Sequence, residues 1–164
     1  MIDLTGLQTR LLERLERLAP GVRAASLADA GHTARPYGVA ILFPGGARAF
    51  VQLVRIPGPP AAPARDQPPP AAPYLPVFPP DGKQVHTADL EALLAAAARE
   101  ADPDTVVRLD RHSQRTARPN HPAPGYGVTV GYRDGSRALL LPLMLVPAGV
   151  VPSGRMEFHT PARF

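Results

Sequence analysis

The chain has 164 residues, 45% of them hydrophobic, which fits one ordinary folded domain or two small ones sharing a core and excludes a disordered or fibrous class. It has no cysteine, so disulfides, thiol nucleophiles and thiolate metal sites are excluded together, and a cytoplasmic protein is the simplest expectation. A net charge of +4 and a pI near 10.1 invite a nucleic-acid reading, but no dense basic block exists: residues 84–149 hold seven Arg against seven acids.

Lys83 is the only lysine, and with abundant Ala, Pro and Gly this arginine usage reads as coding from a GC-rich bacterial genome. Aromatic residues make up only 5% and tryptophan is absent, so burial must come from Leu, Val, Ile and Ala, while the 22 prolines belong in connections.

In chain order, Met1 leads into a mixed charged and apolar segment, which is no signal peptide. Thr5 and Gln8 have the spacing of a capping box, and Leu7, Leu11, Leu15 and Leu18 then fall on one face of a helix that Pro20-Gly21 ends. Val22–Leu27 reads as a short strand. Val39, Ile41 and Phe43 alternate toward the turn Pro44-Gly45-Gly46, and Ala47–Ile56 returns as a strand so apolar that both its faces should be covered.

Pro57 to Gly82 is a proline-rich stretch of extended, polyproline type, in which Pro68-Pro69-Pro70 could present a proline-rich ligand. Tyr74, Leu75, Val77 and Phe78 near its end are expected to pack on the body of the protein. A second helix follows, with Thr87 as its cap, Asp89 at its positive end and Leu90, Leu94, Ala97 and Ala101 on one face. Thr105–Leu109 reads as a strand, and Asp134-Gly135 turns a hairpin between Val128–Tyr132 and Ser136–Val146. The apolar stretch Ala138–Val151 is too short for a membrane helix, which needs roughly 20 residues, and contains Pro142 and Pro147. Met156, Phe158 and Phe164 in the last segment can dock or fray.

Part of this pattern occurs twice. Thr33-Ala34-Arg35-Pro36 recurs as Thr116-Ala117-Arg118-Pro119 at an offset of 83, which also carries Leu7 onto Leu90 and Leu11 onto Leu94. Tyr37-Gly38-Val39 recurs as Tyr126-Gly127-Val128 at an offset of 89, after six extra residues, Asn120 to Gly125; Arg48-Ala49 then matches Arg137-Ala138. The expected fold is therefore α+β, with two tandem helix-plus-antiparallel-β repeats packed as a pseudo-twofold unit. The expected parts are a first repeat at 1–56, a proline-rich linker at 57–83, a second repeat at 84–149 and a tail at 150–164.

Chemistry is sparse. Gly125-Tyr126-Gly127 with Gly131 has one residue too many for a dinucleotide fingerprint and enters a strand, and Lys83 has no phosphate-binding loop around it. Asp110 and His112 should share a strand face, with His121 farther on, but a metal site needs a convergent third ligand. His32, His86 and His159 stand alone, and Ser113 lies in no nucleophile elbow. Glu100, Asp102 and Asp104 at the end of the second helix are explained by capping and turn formation. What remains is the repeated set Arg35, Tyr37, Arg48, Arg118, Tyr126 and Arg137 as candidate binding residues. The expected function is a non-catalytic bacterial interaction or adaptor protein with a protein partner, no cofactor, no metal and no membrane. The alternative is a binder of nucleic acid or acidic ligands through the repeated arginines.

Overall fold

The computed structural model describes residues 2–58, 70–115 and 125–164. It is an α+β fold of two helices and one six-stranded antiparallel sheet. The elements run α1 (Leu4–Leu18), β1 (Arg23–Ser26), β2 (Gly38–Leu42), β3 (Arg48–Ile56), α2 (Thr87–Ala101), β4 (Val106–Arg111), β5 (Val128–Tyr132) and β6 (Arg137–Val146). The strand order is β1-β2-β3-β6-β5-β4, so β3 and β6 form the central pair.

The leucine stripe of α1 does what its spacing predicts: Leu7, Leu11 and Leu15 have no solvent exposure. Full burial of such a side chain contributes about 1.5–3 kcal/mol. The helix start differs from expectation. Asp3, not Thr5, caps it, its two carboxylate oxygens accepting from the Thr5 and Gly6 amides at 3.0 Å each. Gln8 is thereby released from a capping box and accepts instead from the Gly38 amide of β2 at 2.9 Å.

In α2, Thr87 is not the cap either. It is the first helical residue, buried, and its hydroxyl donates to the Pro161 carbonyl; the capping position is His86, which makes no side-chain cap bond. Every residue from Leu90 to Ala98 is buried, because the small alanines let α2 sit close to the sheet and to α1 at once. Helices and sheet share one core that includes Leu90, Leu94, Val39, Ile41, Val51, Val130 and Leu140.

The opposite sheet face carries a second cluster, in which Leu27, Phe50, Leu143, Met144 and Val146 are packed by Met156 of the tail. This gives the central strands the two covered faces their composition demanded. The tail continues from the Phe158 amide, bonded to Leu143 O at 2.8 Å, to the start of α2. There Val85 and Phe164 exchange two main-chain hydrogen bonds, 2.6 and 3.0 Å, and the Thr87 amide bonds Ala162 O at 2.8 Å. The tail therefore docks.

The segment before α2 packs less than expected. Phe78 alone reaches the core, whereas Tyr74, Leu75 and Val77 are exposed, at 55%, 48% and 86%. The half-buried places there go to Pro73, Pro76 and Phe78. No described helix is long and apolar enough to cross a membrane.

Candidate functional site

The repeated arginines and tyrosines are dispersed. Arg35 lies over the ring of the exposed Phe158, 5.3 Å from its centroid. Tyr37 is half-buried against the core and borders an open cleft of about 490 Å³ with Ile2, Asp3 and Arg55. Arg48 begins β3 and donates to Val150 O at 3.1 Å, while Arg137 begins β6 and is exposed. The ladder sets Arg48 opposite Val146 and Arg137 opposite Ile56, so these two stand at opposite ends of the central pair, roughly 27 Å apart at ~3.4 Å per residue. Tyr126 is half-buried at the entry to β5. Arg118, His121, residues 120–124 of the insertion and residues 59–69 of the proline-rich stretch, with Pro68 and Pro69, lie outside the described residues.

The acids after α2 do more than end a helix. Asp102 takes Arg10 of α1 at 2.9 Å, and Glu100 pairs with Arg17, so the two helices are joined by charge as well as by leucines. Asp110 and His112 do not share a strand face, because β4 stops at Arg111 and His112–Gln114 turns as a short 3₁₀ helix. Asp110 instead holds Arg115 at 2.6 Å, and that hydrogen bond keeps its carboxyl below the ordinary range. Burial, reinforced by Arg115, lowers the His112 pKa, and its Nε2 sits 2.9 Å from the Thr129 hydroxyl. Among the described residues no three His, Asp or Glu side chains gather as a metal site.

Two places escaped the sequence reading. The first is Glu91, 1% exposed in the middle of α2. Its Oε1 accepts from Arg111 Nε at 3.1 Å and Ser113 Oγ at 2.5 Å; its Oε2 accepts from the Ser113 amide at 3.1 Å and the Gly127 amide at 2.9 Å. Arg111 also donates to Ala88 O at 2.9 Å and lies 5.6 Å over the Tyr74 ring. The carboxylate accepts four hydrogen bonds, which makes it a clamp on two chain segments. A signal was present: an acid between Leu90 and Ala92 in the run Leu90–Ala98, which is otherwise apolar at every position.

The second is the end of the β5–β6 hairpin. This hairpin and the β2–β3 hairpin close alike. Phe43 N bonds Ala47 O at 2.9 Å and Gly46 N bonds Phe43 O at 2.9 Å; Tyr132 N bonds Ser136 O at 3.0 Å and Gly135 N bonds Tyr132 O at 2.9 Å. Gly46 and Gly135 both hold positive φ, +99° and +82°, the conformation that such turns require and that glycine adopts without strain. Their surroundings differ. The Phe43 ring is met by Phe78 and Phe164, centroids 4.9 and 5.9 Å away. Tyr132 borders a cavity of about 530 Å³, together with Ile2, Asp3, Arg10, Asp102 and Thr105.

Tyr132 is only 6% exposed, and neither its hydroxyl nor the buried Nε of Arg10 has a hydrogen-bond partner among the described residues. Burial, with the nearby Asp102 charge, pushes the phenol pKa up, so the hydroxyl is neutral and able to donate at pH 7. At the turn itself, the Ser136 hydroxyl and amide hold the Asp134 carboxyl down at about 2.

In comparisons with protein-family models, curated proteins and solved structures, the chain has no significant match.

Proposed function

We propose that this chain is a non-catalytic, cytoplasmic interaction protein of bacterial type, built on an internal duplication and binding a protein partner. The observation that carries the reading is that three large apolar side chains stay exposed on otherwise docked segments, Val77 at 86%, Val151 at 81% and Phe158 at 65%, with Arg35 lying over Phe158. Aromatic residues and arginine are the side chains enriched in protein interfaces, and the Arg35–Phe158 pair presents one of each.

Several features support the duplication. The offset of 83 carries the bounds of α1 onto those of α2, Leu4 to Thr87 and Leu18 to Ala101. It also carries Gln8 onto Glu91, and each of these accepts from the amide of a corresponding glycine, Gly38 or Gly127. The offset of 89 carries the start of β3 onto the start of β6, Arg48 to Arg137. A pseudo-twofold between the halves would pass between the antiparallel β3 and β6.

The test is capture of partners from nuclease-treated extract by tagged full-length protein, comparing wild type with Val77→Asp and Phe158→Asp. A protein partner retained by wild type and by Arg137→Ala but lost in both aspartate variants is the expected result. Recovery of nucleic acid that falls steeply with salt, and with Arg35→Ala or Arg48→Ala, would favour the nucleic-acid or acidic-ligand reading instead.

A further inference from the structure

The tail reaches its docking place through a strained joint. Among the described residues, the hydrogen bonds that tie 160–164 to the rest of the fold all fall at the start of α2. Val85 and Phe164 exchange two main-chain bonds, and Thr87 donates to Ala162 O through its amide and to Pro161 O through its hydroxyl. The anchor is Phe164, 3% exposed, its ring centroid 5.9 Å from that of Phe43. The joint is Phe158, the one described residue other than glycine with a positive φ, +60°. That conformation disfavours a bulky L residue roughly tenfold in equilibrium relative to glycine. Phe158 is pinned there by its amide bond to Leu143 O at 2.8 Å, while its ring stays exposed.

We infer that the segment 159–164 exchanges between two copies of this chain, each copy's Phe164 filling the place beside the other's Phe43. The groove itself selects this occupant. A second copy carries the same Pro161-Ala162-Arg163-Phe164, so every bond given up within one chain is remade between two. Opening without exchange would strip Val85, Thr87 and the Phe43 ring of these partners. A tether within one chain gives the segment an effective concentration of about 1 mM, which favours the closed form. Strain at Phe158 works against that advantage, because an exchanged segment leaves the joint free to take negative φ, and short strained joints favour such swaps. Val151 and Phe158 stand exposed on the stretch that crosses between copies, so exchange brings together apolar side chains that one copy leaves in solvent. Because exchange needs only this chain, its outcome is separable from the capture of a partner out of extract.

The chain has no cysteine, so introduced thiols report without background. His86 and Arg163 oppose each other next to the hydrogen-bonded Val85–Phe164 pair, a position that sets Cα atoms about 4.5 Å apart, within disulfide reach. Both residues are exposed. Purified full-length His86→Cys and Arg163→Cys chains, one enlarged by a tag, are mixed, equilibrated at concentrations up to about 1 mM and oxidised. A mixed crosslink that exceeds both self-crosslinks and grows with concentration is the expected result. Association should be at least about tenfold weaker with Phe158→Gly than with Phe158→Ala, since both lack the ring and only alanine keeps the strain. A mixed crosslink no more abundant than the self-crosslinks would overturn the inference, as would equal association of the glycine and alanine forms. So would a double variant, His86→Cys with Arg163→Cys, that crosslinks only within one chain at every concentration.

Discussion

The two hairpin ends share a turn, a pair of hydrogen bonds and a positive-φ glycine, and they differ in what stands beside the aromatic residue. At Phe43 the chain supplies Phe78 and Phe164 from segments far away in sequence; Tyr132 borders a cavity, and its hydroxyl has no acceptor among the described residues. The difference separates an aromatic ring packed by distant segments from one whose polar atom is left unpaired by the described residues. A second contrast lies within α2. Glu91, 1% exposed, has four hydrogen-bond donors, so its polarity stabilises the fold, whereas the Tyr132 hydroxyl, in a residue 6% exposed, has no partner among the described residues.

Removing Glu91 breaks this contrast most severely. Glu91→Ala leaves Arg111, whose side chain is 10% exposed, without its carboxylate, and unfolding free energy should fall by about 3–5 kcal/mol in urea titration. Glu91→Gln keeps one acceptor and should cost less. If Glu91→Ala costs under about 1 kcal/mol, the clamp is not holding the segments it touches. Next in size, Phe164→Ala should cost about 3 kcal/mol and make the Phe43 end resemble the Tyr132 end, with the amides of Val85 and Thr87 losing protection from hydrogen exchange.

The smallest effect concerns His112, which is packed among Thr129, Arg115, Asp110 and Glu91. Its pKa is lowered on folding, first by burial, so the unfolded chain takes up the proton more readily. The stability it contributes is present above its ordinary value near 6.5 and is lost as pH falls from there through the lowered one. Urea midpoints measured between pH 7 and pH 5 should therefore decline, and His112→Gln should flatten that part of the decline. An unchanged slope in the variant would show that His112 is not its source.

Much of the fold was legible in the residues. The leucines at Leu7, Leu11 and Leu15, the alternation at Val39, Ile41 and Phe43 and the turns at Gly45-Gly46 and Asp134-Gly135 gave helix, strands and hairpins, because each is set by local periodicity and turn chemistry. Caps were misplaced where a long-range partner competed: Gln8 serves Gly38, and Thr87 serves Pro161. Leu75 and Val77 were misjudged because composition marks a residue as apolar without saying which way it faces, whereas the exposed Tyr74 still meets the body through Asp89 and Arg111. The cavity was not legible at all. It lies among Ile2, Asp3, Arg10, Asp102 and Tyr132, which are far apart in sequence, just as the packing of Phe43 depends on Phe164, 121 residues later.

The most direct measurement is equilibrium unfolding of Tyr132→Phe against wild type with no ligand added. A buried hydroxyl with no partner among the described residues is a burden, so the variant should be more stable, by about 1 kcal/mol, with an unchanged denaturant slope. A loss of about 1 kcal/mol or more would mean that the hydroxyl already has a partner within the fold, and the contrast between the two hairpin ends would fall.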